Sequence, residues 1–359
     1  MATSATTAPA APTGGRRITD HVLLWFVLRR LAALLMLLVG ITLIAFLLTH
    51  LVPGDPVAAN LSQQAVSDPE IVQAFKEKNG LDKPLPVQYV KYLEGLTHGD
   101  LGLSQQTQKP VTEDLGEFVP ATIELAVTAI VISVLVGVPL GILAAIRRNT
   151  WLDQVLRVVT LSGVSVPTFW LALVSYYVLF FKLGLVPGGG RLDPGVDPPA
   201  HHTGFYTLDA LLDGDPGLFG EALRHLLLPA LVLAMFTISL LTRFTRASML
   251  EVLNNDYVRT ARAKGMPERV VVFRHVVRPA LLPILTVFGV AFGSLLSGTV
   301  LVEKIFSWPG IGQYAYNSAL ALDLPSIMGV CLVVAVIYVG INFAVDIAYG
   351  LVDPRIRAT

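Results

Sequence analysis

The sequence predicts an all-α protein that crosses a membrane several times. Three observations lead there. The chain of 359 residues is 53% hydrophobic and only 14% charged, against about 25% charged in ordinary soluble domains, and its mean hydropathy is +0.65. Several uncharged apolar runs are long enough to span a bilayer. Basic and acidic side chains alternate from one connecting loop to the next, as in a chain that passes back and forth through lipid. A backbone in lipid must satisfy its own hydrogen bonds, so the spans are helices.

Six stretches are predicted as spans, at 28–51, 120–146, 155–182, 224–248, 279–302 and 326–352. Residues 1–20 are rich in Ala, Thr and Pro and are expected to form a disordered cytoplasmic tail. The apolar run after Arg30 is too long for a signal-peptide core and has no small-residue cleavage site before "HLVPGDP", so it is expected to be retained. The chain then divides into 21–116, the first span plus an extracytoplasmic helical segment, and 117–352, a core of five spans. An inner loop at 249–276 interrupts that core, and 353–359 form a cytoplasmic C-terminus. In the first segment, Asp68 is a natural N-cap, Pro69 a first helical residue and Gly80 a stop. "PVQYVKYLEGL" reads as a second amphipathic helix.

Charge placement orients the spans. Arg16, Arg17, Arg29 and Arg30 stand before or at the start of the first; Arg147, Arg148 and Arg157 lie between the second and third or at the start of the third; Arg243 and Arg246 lead into the loop after the fourth; Arg355 and Arg357 follow the last. The alternate connections are acidic: 53–117 holds ten Asp/Glu against five Lys, and 183–223 six Asp/Glu against Arg191. Both termini and the 249–276 loop are therefore expected in the cytoplasm.

That loop, "NNDYVRTARAKGMPERVVVFRHVVRP" over 254–279, is more than a topology signal. Ser248 and Glu251 have capping-box spacing. Leu253, Tyr257, Ala261 and Gly265 recur every four residues and predict a narrow apolar stripe with small members. Asn255, Arg259 and Arg262 lie off it. Lys264-Gly265 reads as a helix C-terminus, and Met266-Pro267-Glu268 as a restart with proline at the first helical position. A short helix with a small-residue side suits docking in a partner's groove. An anionic-lipid anchor, at about 1 kcal/mol per basic residue, requires no such stripe.

The sequence carries no Gly-Lys dipeptide, so it cannot contain the phosphate-binding G-x-x-x-x-G-K-[ST] loop. It holds no H-E-x-x-H and no G-x-S-x-G, and the pair His201-His202 has no further ligands near in sequence, so an enzyme is not indicated. Cys331, the single cysteine, lies in an apolar run, which excludes a disulfide framework. No resident cofactor or metal is expected. An ion-coupled secondary transporter would need a coupling-ion site within its spans, and none is visible.

Glu124, one turn after Pro120, is expected to be an interfacial charge at a helix start, and Asp346 to pair with a cytoplasmic Arg. Ser133, Gly137, Gly141 and Ala145 predict close helix packing within the chain. Gly289, Gly293 and Ser297 have the same spacing, facing another helix, a second subunit or a path. Pro139, Pro167, Pro229 and Pro283 can kink their spans. Glu124, Pro167, Gly289, Gly293 and Ser297 are thus the candidates for lining or gating a path. Phe306, Trp308, Tyr314 and Tyr316 around Pro309-Gly310 suggest an interfacial aromatic belt.

The 254–279 loop resembles the "EAA" loop of ATP-binding-cassette importers: Arg259-Thr260-Ala261 is followed, after three residues, by Gly265. It departs from the general form in that Arg259 replaces the glutamate and the later leucine-proline is absent. "LVPGDP" (51–56), "GLDKPLPVQYVKYL" (80–93), "HGDLGLS" (98–104), "PATIELA" (120–126), "SVPTFWLAL" (165–173), "VPGGGR" (186–191), "FSWPGIGQYAYNSALALDLP" (306–325) and "LVDPRIR" (351–357) occur in order. Together they resemble the B-type permease subunit of dipeptide and oligopeptide importers.

The resemblance implies the type I importer permease fold and a bacterial inner-membrane location. It implies a coupling helix at Asp256, Tyr257, Arg259, Thr260, Ala261 and Gly265 that docks into an ATPase subunit. The 303–325 segment would be a re-entrant element beneath a binding-protein dock. The implied partners are a C-type permease, two ATPase subunits that hold ATP and Mg, and an extracytoplasmic binding protein that delivers di- or oligopeptides. Relatives of this type also carry nickel chelates or sugars.

Overall fold

A computed structural model describes residues 36–47, 57, 61, 63–79 and 82–352. The expected tail at 1–20, the C-terminus at 353–359 and much of the first predicted span lie outside the described residues; Met36–Leu47 (α1) is an apolar helix within that span. Among the described residues the chain is helical, with one isolated bridge between Leu103 and Pro110.

The segment after α1 holds α2 (Gln63–Val66), α3 (Pro69–Asn79) and α4 (Leu85–Thr97). Asp68 caps α3 as expected, its carboxylate accepting the Glu70 N–H at 3.0 Å. The long helices follow: α5 (Val111–Ile146), α6 (Trp151–Ser165), and α7 (Thr168–Tyr176) continued by a π-helical turn at Tyr177–Lys182. Then come the short α8 (Tyr206–Leu212) and the 38-residue α9 (Pro216–Leu253). After α9 lie α10 (Asp256–Ala263), α11 (Glu268–Val270) with a π turn at Val271–Val276, and α12 (Val277–Ile305). α13 (Ile311–Leu320) and α14 (Leu324–Val352) are the last elements of the described residues.

Among the described residues, three helices are long and apolar enough to cross a membrane, over Val111–Ile146, Pro216–Leu253 and Leu324–Val345. Two bent pairs also qualify, Trp151–Ser165 with Thr168–Lys182 and Glu268–Leu281 with Pro283–Gly293, at 97° and 51°. The predicted 155–182 span is therefore broken rather than kinked. Pro167 is the cause: it disfavours helix at Val166, whose ψ is 123°, and Pro167 itself sits extended at ψ 131°. Pro139 and Pro229 remain inside continuous helices.

α9 is the central post. Its 38 residues extend for roughly 57 Å at 1.5 Å per residue, well beyond a hydrocarbon core of about 30 Å. Its two ends must therefore stand in polar surroundings. α5 lies along it, and the small-residue spacing explains the closeness: a Cβ on Gly137 would come within 3.0 Å of the Ile238 carbonyl oxygen, and one on Gly141 within 2.8 Å of that of Thr242. The Thr242 hydroxyl donates to the Gly137 carbonyl at 3.1 Å.

Three expectations are corrected. α5 begins at Val111, not at Pro120, because Pro110 provides the start and Pro120 is carried within the helix. Ser248 forms no capping box: α9 runs unbroken through Leu253, and the Ser248 hydroxyl donates to the Ala280 carbonyl at 3.2 Å. The aromatic belt is mostly interior. Phe306, Trp308 and Tyr314 are buried and only Tyr316 is exposed, because the turn at 307–310 folds back onto α5. There Trp308 Nε1 donates to the Ala121 carbonyl at 2.9 Å.

Candidate functional site

The 254–279 loop folds into a short helix clamped at both ends. Asn255 is its N-cap residue, with extended backbone, though its side chain makes no cap bond. Asp256 stands in the first turn, where a negative charge is favoured by the helix dipole. At the other end Gly265 has φ +74°, a conformation that other residues adopt only with strain. The Gly265 N–H reaches the Arg262 carbonyl at 2.9 Å and the Met266 N–H the Ala261 carbonyl at 3.4 Å, the paired bonds of a Schellman ending. Beyond it, Arg262 grips Glu268 with two bonds, 3.1 Å from Nε and 2.6 Å from Nη2, tying α10 to α11. Pro267 is the N-cap of α11, one position ahead of the expected first helical position.

The predicted stripe of Leu253, Tyr257, Ala261 and Gly265 is displaced. The buried pair is Val258 and Ala261, whereas Tyr257 is 46% exposed. Leu253 belongs to α9, and the break at Asn254 resets the helical phase, so a four-residue count begun at Leu253 does not carry into α10. Val258 and Ala261 pack into a cluster with Ala145 of α5, Met249 and Val252 of α9, Val271 and Val272 of the π turn, and Ala280 of α12. Burying Val258 fully is worth about 1.5–3 kcal/mol. The small residues therefore serve packing within the chain, and the opposite side offers Asp256, Tyr257, Arg259 and Thr260 outward. Arg259 and Asp256 make an exposed pair at 3.2 Å, and the Thr260 hydroxyl donates back to the Asp256 carbonyl.

A buried ionic clasp reinforces the same end of the bundle. Asp153, near the start of α6, is fully buried and accepts from Arg246 of α9, from Arg157 and from the Asn149 N–H. The sequence reading missed Asp153 because the arginines around it read as a topology signal. An acid among three arginines was the available sign.

The far end of α9 carries a second network. Glu124 is 4% exposed and lies well inside α5, not at a helix start as expected. Arg191 Nη2 donates to its Oε2 at 2.6 Å and to the Gly204 carbonyl at 2.7 Å, and the guanidinium stacks 3.4 Å from the Tyr206 ring centre. Thr207 donates through N–H and hydroxyl to the other Glu124 oxygen. Asp209 accepts from Thr203 and Gly204. Burial works against its charged form, but those donors outweigh burial and hold its carboxyl below the ordinary range. The "VPGGGR" loop is thus fastened onto α5.

Glu303 was also missed in the sequence. It is fully buried, accepts the Thr122 hydroxyl at 2.7 Å and the Gln313 N–H at 3.0 Å, and so faces the N-terminus of α13. A lone acid just before a Trp-Pro-Gly turn was the visible signal.

The remaining candidates are separated from one another. Gly289 and Gly293 of α12 face Val345 and the Tyr338 ring of α14, so their small size is used in packing within the chain. Pro167 borders an open cleft of about 450 Å3 with Ser162, Ser165, Phe169 and Trp170. The side chains of Ser297 and Asp346 lie outside the described residues. His202 is paired with Asp213 at 2.9 Å.

Comparison with known proteins agrees with this architecture. The family described as "Binding-protein-dependent transport system inner membrane component" matches residues 137–358, and its N-terminal companion, "Binding-prot-dependent transport system membrane comp, N-term", matches 23–126. A "Probable D,D-dipeptide transport system permease protein" of Escherichia coli (strain K12) is 47% identical over 333 residues, 92% of this chain and 97% of that one. A "Dipeptide transport system permease protein" of Alkalihalophilus pseudofirmus is 41% identical over 93% of this chain and 100% of its own length. A "Di/tripeptide transport system permease protein" of Pseudomonas aeruginosa is 43% identical over 93% and 99%. The resemblance drawn from the motifs is borne out: the chain belongs to the binding-protein-dependent transport permeases, a family of multi-pass membrane components of ATP-binding-cassette importers.

Proposed function

We propose that this chain forms half of the translocation path of an ATP-driven importer of di- or oligopeptides. The observation that carries the reading is the two-sided build of α10. Its inner side is packed against the ends of α5, α9 and α12, while Asp256, Tyr257, Arg259 and Thr260 face outward. A partner that grips the outer side moves three long helices at once. The chain lacks a phosphate-binding loop of the Gly-Lys type, so two separate ATPase subunits hold ATP and Mg, and their closure supplies the motion. The side of the membrane that holds α10 is then the cytoplasm, with both chain termini, and the membrane is the bacterial inner membrane.

At the far end, a binding protein delivers the substrate and a C-type permease supplies the other half of the path. Peptides are the substrate that the names of the aligned relatives support. The open cleft beside Pro167, with two serines and two aromatic rings at a 97° helix break, suits a path-lining element. The Glu124–Arg191 pair suits a fastening of the outer loop that must yield or travel with it.

Reconstitution into vesicles tests this. The chain with its C-type partner, ATPases and binding protein takes up labelled dipeptide when ATP is supplied. The chain alone shows no uptake driven by an ion gradient. Gradient-driven uptake by the chain alone would instead make it a secondary transporter.

A further inference from the structure

The first turns of α9 carry a cluster to which the function proposed above gives no role. Glu221 and His225 stand one turn apart on this helix, and Asp193 joins them from the loop after the glycine run. His225 Nε2 lies 3.3 Å from an Asp193 oxygen and 3.3 Å from a Glu221 oxygen, and the three groups' ligand atoms lie within 4.8 Å of one another. The imidazole is fully buried, Glu221 largely so, and Asp193 is half exposed.

The other ring nitrogen decides the chemistry. Nδ1 lies 3.1 Å from the Gly190 carbonyl oxygen, which can only accept, so Nδ1 carries the proton. In a neutral ring Nε2 then presents a lone pair to two carboxylates. Three acceptors that converge need a positive charge between them, either a proton on Nε2 or a cation. A single N–H points well at only one acceptor, and charge-assisted bonds run at about 2.7–2.9 Å. Here the two contacts are equal and longer, at 3.3 Å. Around a tetrahedral ion with ligand bonds of about 2.0–2.1 Å, neighbouring ligand atoms stand about 3.3 Å apart, which the two edges at His225 match, while the three atoms together lie within 4.8 Å. An imidazole oriented by a backbone carbonyl on one nitrogen, with the other free to ligate, is the usual support of a metal-binding histidine.

We propose that Asp193, Glu221 and His225 bind one divalent cation of the zinc class. One imidazole and two carboxylates leave a fourth position for water, and the nitrogen ligand disfavours magnesium and calcium, which take oxygen ligands. The half-exposed Asp193 provides the entry side. The bound ion staples the glycine loop to α9, while the Gly190 N–H bond to the Phe306 carbonyl at 2.8 Å ties the same loop to the end of α12.

The test is a Zn2+ titration of the full-length chain, purified in detergent and stripped with a chelator, against a fluorescent zinc indicator. Wild-type protein binds one equivalent that excess Mg2+ does not displace. Asp193→Asn and His225→Gln each weaken binding by at least ~10-fold, the loss that follows even removal of an outer support of a ligand. His202→Gln, at the surface pair with Asp213, leaves binding unchanged. Because Asp193 is half exposed, Asp193→Asn reports on the site even where His225→Gln fails to fold. Co2+ in place of Zn2+ gives a visible absorption band in wild type that Asp193→Asn removes. No binding of Zn2+ by the wild type, or wild-type affinity in both Asp193→Asn and His225→Gln, overturns the proposal.

Discussion

Asp153 receives both arms of Arg246, Nε on one carboxylate oxygen at 2.7 Å and Nη2 on the other at 2.9 Å. The pair joins the start of α6 to α9 close to where α10 is anchored. Arg157 adds two more bonds to the same carboxylate, Nη2 at 2.7 Å and a longer one from Nε at 3.4 Å, from a more exposed position.

Removing Arg246 leaves a fully buried carboxylate with a weaker partner. Arg246→Ala is expected to destabilise the chain by about 3 kcal/mol, the scale for breaking a buried pair, and Arg157→Ala by much less because it is half exposed. Thermal unfolding of the purified importer in detergent measures the difference. Arg246→Lys cannot reproduce the two-pronged geometry and falls between wild type and Arg246→Ala.

Val258 has the inner role in α10. Val258→Ala removes two methyl groups from a closed cluster and is expected to cost about 2 kcal/mol. Uptake should fall further than ATP hydrolysis, because the outward face still engages its partner while the lever beneath it is loose. Uptake and hydrolysis measured side by side in vesicles check this.

Gly265→Ala places a side chain at φ +74°, where it costs about 1–2 kcal/mol. The Cβ itself meets nothing within 4 Å, so the cost is local and the fold survives. Hydrogen exchange over 261–268 should rise in this variant and stay unchanged in α5 and α9.

Asp209 gives the loop and short helix ahead of α9 a defined response to acid. Its folded carboxyl lies below the unfolded value of about 3.9. The stability it contributes is therefore present above about pH 3.9 and is lost as pH falls through the lower folded value. Hydrogen exchange over 203–213 should be flat from pH 7 to pH 5, once corrected for intrinsic rates, and rise only in stronger acid. Asp209→Asn should remove that acid-dependent step.

The long helices were legible because their apolar runs are uninterrupted and their small residues recur at four-residue spacing. Gly137 and Gly141 fulfil that pattern against Ile238 and Thr242. The α10 helix, its glycine ending and its restart at Glu268 were also legible, since each rests on a local backbone rule. What failed was whatever depended on distant segments. Glu124 looked interfacial because its partner, Arg191, is 67 positions away. Trp308 looked interfacial because its hydrogen-bond acceptor, Ala121, is 187 positions away. Tyr257 and Val258 differ by one position, and only the break at Asn254 decides which of them turns inward.

The central claim is that motion enters through the outward face of α10. The direct measurement is uptake and ATPase association by the reconstituted importer carrying Tyr257→Ala together with Arg259→Glu. Both side chains stand clear of the chain's own core, so its unfolding temperature should be unchanged. Uptake is predicted to fall about tenfold or more, as expected for loss of contacts worth about 1.4 kcal/mol, with the ATPase subunits dissociating during purification. Wild-type uptake and undiminished association in that variant would contradict the account.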